Sequence, residues 1–146
     1  MKHSRHRARE CALQVLYKID LENEKKGETF SPHEISKLLE KHFTHFDVPM
    51  STRAFAAELI AGTLTEKVNL DGEIEQAATG WKISRMAVID RNLLRMSLYE
   101  LLNHGEETPF NVTLDEAVEL AKTYGGAESP SFVNAILDTL RKKKAS

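Results

Sequence analysis

Within the segment IDRNLLRMSLYELL, Ile89, Leu93 and Met96 fall on one side of a helix, and Leu94, Leu98 and Leu101 fall on nearly the opposite side. A helix that is apolar on two faces has to lie between two packing layers, because a face left in water forfeits its burial free energy. The rest of the chain can supply those layers. Apolar residues return at three- and four-residue spacing almost everywhere, runs of alternating apolar and polar residues are missing, and 4 prolines and 7 glycines punctuate 146 residues. The expected class is all-α, with about seven helices in two small bundles that share a central element.

Local signals place the helices. The first is expected from a Ser4 N-cap to about Glu22, with Ala8, Ala12, Val15 and Ile19 as its core stripe and Cys11 and Leu16 beside it. Leu13, Tyr17 and Leu21 make a second apolar stripe on the far side, which needs either another helix or a partner to cover it. A polar connection containing Gly27 leads to Ser31-Pro32-His33-Glu34, a Ser N-cap with proline at the first helical position and glutamate at the third. The helix it opens carries Ile35, Leu38, Leu39, His42, Phe43 and Phe46 on one face and stops before Pro49. A third helix is expected from Ser51, with its break near Gly72. Gly80-Trp81-Lys82 reads as a connection with an aromatic anchor, followed by a turn over residues 84–87. Thr113-Leu114-Asp115-Glu116 reads as a capping box opening a helix through Tyr124, with Gly125 as its left-handed cap. Ser129-Pro130 begins a last helix that buries Val133, Ile136, Leu137 and Leu140 and frays into a basic tail, residues 141–146.

The length fits one globular domain, expected over residues 1–146. No window approaches the roughly 18 consecutive apolar residues of a spanning helix, and the start lacks the apolar stretch of a secretory signal, so a cytoplasmic protein without membrane contact is expected. Cys11 is the only cysteine and reads as a buried free thiol. The net charge of −2 is unevenly spread: residues 1–10 carry +3 and residues 141–146 carry +4, which leaves −9 on the body between them. Such asymmetry points to a localised contact with a polyanion.

The basic start KHSRHRARE is the candidate contact. Cations near a helix N-terminus oppose the helix dipole by roughly 0.3–1 kcal/mol each, so Arg5, Arg7 and Arg9 are not there to stabilise the helix they open. Arginine offers planar forks that pair with phosphate and stack on bases, which favours nucleic acid. In a helix Arg5 and Arg9 share a face while Arg7 points about 200° away, whereas in an extended chain all three align. Residues 1–7, Lys2 included, are expected to be partly disordered and to tighten on RNA; a solvated basic terminus that binds nothing is the alternative. In the tail, lysines after a helix C-terminus are what the dipole favours anyway, so it is the weaker signal.

Other chemistry has little to stand on. His3 with His6, and His42 with His45, lie one turn apart, but no carboxylate or thiolate is placed to complete a metal set. His42 reads as a partly buried residue of its helix face. No phosphate-cradling GxxxxGK or GxGxxG and no nucleophile-elbow GxSxG occurs, and carboxylate pairs such as Asp115 with Glu116 are explained by a helix's first turn. Neither catalysis nor a cofactor is expected.

Three blocks, RHRARECALQVLY, IDRNLLRMSLYELL and FNVTLDEAVELAKTYGG followed by SFVNAILDTL, together resemble the NusB family in order and spacing over nearly the whole chain. The resemblance implies two three-helix bundles with shared helices and a non-catalytic antitermination factor that promotes ribosomal RNA transcription. It implies binding to boxA RNA together with the small-subunit ribosomal protein that doubles as NusE, within an RNA polymerase elongation complex holding other Nus factors. The family's basic RNA-binding start matches Arg5, Arg7 and Arg9, and its late contact region matches Glu128 and Phe132, of which Phe132 either stacks on a base or packs in the core. The ribosomal-protein contact maps onto Tyr17 and Asp90; Tyr17 lies on the second stripe with Leu13 and Leu21, a stripe that also permits a homodimer. His6 stands where relatives commonly continue the arginine run. Two other readings compete: an RNA-independent helical adaptor, and a module like the N-terminal part of certain ribosomal RNA cytosine methyltransferases, whose cofactor domain has no room before Ser146.

Overall fold

A computed structural model describes residues 2–22 and 29–145, with side chains from Ser4 to Lys144 within those ranges. The connection containing Gly27 and the side chain of Lys2 lie outside the described residues. Seven α-helices occur among them: α1 Lys2–Glu22, α2 Pro32–Phe43, α3 Met50–Thr65, α4 Lys67–Ala77, α5 Val88–Asn103, α6 Phe110–Tyr124 and α7 Ser129–Ala145, with one 3-10 turn at Ile83–Arg85. The chain divides into two compact units, Met1–Val68 and Asn69–Ser146. In the first, α1 packs on α3 and both meet α2; in the second, α5, α6 and α7 pack mutually.

In the first unit the core stripe of α1 is buried as its spacing requires, with Ala8, Ala12, Val15 and Ile19 at 2% exposure or less. Leu13 is also fully buried, so the second stripe is divided: Leu13 belongs to the interior, Tyr17 is half-buried, and Leu21 is 58% exposed. Helix α1 already includes Lys2, so Ser4 lies inside the helix and is not its cap. Helix α2 opens on the expected reciprocal box: the Glu34 N–H donates to Ser31 Oγ at 3.1 Å, and the Ser31 N–H donates to Glu34 Oε1 at 2.9 Å. It ends at Phe43, and Phe46 continues its face from the following turn, tilted on Phe43 at 5.5 Å. Arg53 of α3 then reaches back to this end, donating to the Phe43 and Phe46 carbonyls with its guanidinium 5.0 Å from the Phe43 ring. A cation on the carbonyls that a helix end leaves unpaired is favoured by the dipole.

The interruption expected near Gly72 falls instead at Glu66, whose N–H bonds back to the Gly62 carbonyl between α3 and α4. Gly72 sits in exposed helix with nothing within 4 Å of where a Cβ would be, so it costs propensity without breaking the rod.

In the second unit α5 is buried on both faces, through Leu93 and Met96 on one side and Leu94 and Leu98 on the other. Several polar residues are buried with them. Arg95 donates to both Asp71 oxygens, from Nε at 2.6 Å and from Nη2 at 3.0 Å, and from Nη1 to Asn92 Oδ1 at 3.2 Å. This bidentate pair ties α5 to α4. Helix α6 starts at Phe110 after Pro109, three residues before the expected cap, and Thr113 is therefore an interior residue with a buried, unpartnered hydroxyl. Gly125 is extended at φ −97°, not left-handed. Its lack of a Cβ matters for space, since a Cβ would stand 2.5 Å from Ser129 Oγ and 2.8 Å from the Ala121 carbonyl. Helix α7 buries Val133, Ile136, Leu137 and Leu140 as expected and stays helical through the basic residues 141–144 to Ala145.

Candidate nucleic-acid interface

The candidate residues fall on two patches, one in each unit. In the first unit the helical option holds for the start of α1: Arg5 and Arg9 share a face and Arg7 points elsewhere. Arg5 lies over the Phe55 ring of α3 at 4.2 Å and Arg9 over the same ring at 5.7 Å. Arg9 is only 4% exposed, so it belongs to the interior of the unit and not to the open phosphate-facing surface expected of it. Arg5 is half-buried, with its Nη1 buried and without a hydrogen-bond partner. Arg7 is the solvent-facing member, its Nη1 donating to Glu10 Oε1 at 2.9 Å. The dipole penalty of cations at a helix start is thus met partly inside the unit, by an aromatic face and by a carboxylate one turn on.

Tyr17 and Leu21 lie further along α1, toward the end where Glu22 meets α2. Glu22 Oε2 stands 3.1 Å from Lys41 Nζ and 3.1 Å from His42 Nε2, the latter off the line of a hydrogen bond. The Lys41 hydrogen bond, followed by the charges of Lys41 and His42, holds the Glu22 carboxyl below its ordinary range. Among the described residues no group of three or more His, Cys, Asp or Glu could hold a metal ion. Cys11 is a buried free thiol whose desolvation pushes its pKa up, which disfavours the reactive thiolate.

In the second unit a groove of about 520 Å³ opens between the 3-10 turn, the start of α5 and the start of α7. Trp81, Met86 and Phe132 supply its apolar walls, Asp90 its inner carboxylate, and Arg85 and Glu128 further charge. Trp81, 53% exposed, meets Phe132 edge-on at 5.8 Å. Phe132 is therefore neither a core residue nor a free ring: it is a half-buried wall. Asp90 is 8% exposed, and its Oδ1 is buried with no hydrogen-bond partner. A carboxylate oxygen so placed favours an N–H donor or a cation delivered from outside, while the aromatic walls suit a base or the stem of a long side chain. The groove unites Asp90, expected at a protein contact, with Glu128 and Phe132, expected at an RNA contact. The reading from sequence missed Met86 and Arg85, and saw Trp81 only as an anchor.

Residues 6–142 match the NusB family. The chain belongs to the NusB family. It is 42% identical over 135 residues to the transcription antitermination protein NusB of Desulfitobacterium hafniense, covering 92% of this chain and 86% of that one. It is 40% identical to the NusB of Desulfotalea psychrophila, covering 92% of each. Among solved structures it is similar to a T. maritima NusB, with a TM-score of 0.80 and 30% identity over 95% of this chain and 91% of that one. It is also similar to a crystal structure of the antitermination factors NusB and NusE in complex with double-stranded RNA, with a TM-score of 0.74 and 26% identity over 98% and 99%. NusB proteins are non-catalytic antitermination factors. No helix among the described residues is long and apolar enough to cross a membrane.

Proposed function

We propose that this chain binds boxA-type RNA jointly with the ribosomal protein NusE, and that the pair joins elongating RNA polymerase to suppress termination in ribosomal RNA operons. The observation that carries the reading is the match, over nearly all of both chains, to a NusB held with NusE and RNA. The two patches support it. The start of α1 presents Arg7 to solvent and carries the half-buried Arg5 on another face, and the groove at Asp90 and Phe132 offers an acceptor and stacking walls. RNA then meets the arginine patch and the rings of Trp81 and Phe132, while the protein partner meets Tyr17, Leu21 and Asp90. The work takes place in the cytoplasm, and the exposed Leu21 end of α1 serves the partner in preference to a second copy of this chain.

The test is a titration of a boxA oligoribonucleotide with and without purified NusE. Binding is expected to be weak alone, to strengthen with the partner, and to fall steeply with salt. RNA affinity that is absent under both conditions would leave only the adaptor reading.

A further inference from the structure

Phe55 reads from sequence as one more apolar position of α3. In the structure it is half-buried and lies under two guanidinium groups, Arg5 at 4.2 Å and Arg9 at 5.7 Å from its centroid. Two cations one helical turn apart repel each other, and the negative face of a ring attracts both. Stacking uses the face of a guanidinium and leaves its in-plane N–H groups for acceptors. Arg5 is half-buried there, its Nη1 buried with no acceptor among the described residues, and the other in-plane N–H groups complete the fork.

We infer that Phe55 is the positioning residue of the arginine cluster: it holds Arg5 in place for an acceptor on RNA and keeps Arg9 folded inward as a brace. The inference rests on the RNA-binding reading above and adds to it a division of labour. Arg7, exposed and paired with Glu10 at the surface, supplies solvent-facing charge. Arg5 supplies a donor whose rotamer is set before RNA arrives, which lowers the ordering cost of binding. Phe55 itself need touch no RNA.

The experiment compares wild type, Phe55→Leu and Phe55→Trp as full chains with NusE, using fluorescence anisotropy on a labelled boxA oligoribonucleotide at several salt concentrations. Phe55→Leu keeps every charge but loses the ring, so affinity should fall by about two- to tenfold, the cost of ordering one or two long side chains, with the salt slope unchanged. Phe55→Trp, with the stronger cation-π face, should restore it. Equal affinity of Phe55→Leu and wild type, or failure of Phe55→Trp to rescue, overturns the inference. NMR of the free chain reads the stack without RNA: the Arg5 δ protons should be shielded by the ring in wild type and lose that shielding in Phe55→Leu. Absent shielding in wild type overturns the inference even where a variant does not fold. Wild type that shows the shielding but never binds RNA overturns the functional reading and leaves the stack standing.

Discussion

Arg9 carries its charge at 4% exposure, while two residues away the side chain of Arg7 keeps 46% of its surface in water. Arg9→Ala removes packed side-chain stem from the interior and should cost about 1–3 kcal/mol of stability. Arg7→Ala removes one exposed pair and should cost under about 0.5 kcal/mol, yet it should flatten the salt dependence of RNA binding by about 0.7 of a logarithmic unit, one phosphate contact on single-stranded RNA. Thermal melts and salt titrations of the two variants check the crossing of effects; a stable Arg9→Ala that loses all RNA affinity would contradict it. Asp90 poses a different case, because its buried Oδ1 has no partner until something binds. Asp90→Asn should leave the melting temperature unchanged or raised while weakening NusE binding about tenfold, the loss of a charge-assisted hydrogen bond, as calorimetric titration would show. Periodicity offered the helical option, with Arg5 and Arg9 on one face and Arg7 on another, beside an extended one in which all three align. Their environments were not legible, because Arg9 is buried by its approach to Phe55, 46 positions away in the chain, and no local pattern encodes that meeting.

Helix starts and stops were read best where one side chain settles them locally. Ser31 and Glu34 close their box within four residues, and the structure shows both bonds. Thr113 carries the same motif letters, but Pro109 already opens α6, so the box has no free end to cap. Gly125 was expected for its backbone freedom and is needed for space instead. Gly125→Ala would drive a Cβ to 2.6 Å from Ser129 Cβ; the corner between α6 and α7 should yield at a cost of about 1–3 kcal/mol, shift Phe132, and enlarge the groove, which a lower melting temperature and more accessible Trp81 fluorescence would report. At the other end, Glu22 ties α1 to α2 through Lys41 and His42. Its carboxyl is held below the ordinary value near 4.3, so it titrates at lower pH in the folded chain than in the unfolded one. The stability this contributes is present above about pH 4.3 and is lost as pH falls through the lowered value. Glu22→Gln should remove that part of the acid dependence and leave melting near neutral pH only slightly lower, the pair being half exposed. Parallel acid titrations of wild type and variant decide it.

Across the whole molecule the charges are arranged so that the two basic ends do different work. All-α class and helix number followed from spacing alone, because burial of amphipathic faces is a short-range pattern repeated along the chain. The buried Arg95–Asp71 pair that joins α5 to α4 was invisible, since both residues look like ordinary surface charges until α4 is in place. The basic tail shows the same limit. As a sequence it rivals the start in charge, yet in the structure Lys142 and Arg141 both meet Asp138, at 3.1 and 3.2 Å, and Arg141 lies over Phe110. Lys144 reaches Glu73 at 2.7 Å and Lys143 reaches Gln76 at 3.3 Å. The Lys142 hydrogen bond, with that of Arg141, holds the Asp138 carboxyl below its ordinary value, as expected where cations already have a partner. The tail therefore offers RNA charge that is largely answered at home, whereas the start of α1 offers the exposed Arg7 and a half-buried Arg5 stacked on Phe55. Replacing Lys142 and Lys144 together by glutamine should change the salt slope of RNA binding by less than about 0.3, while Arg5→Ala with Arg7→Ala should flatten it by about 1.4, two contacts on single-stranded RNA. Anisotropy titrations of the two double variants at matched salt make the comparison, and an equal flattening in both would return the tail to the RNA surface.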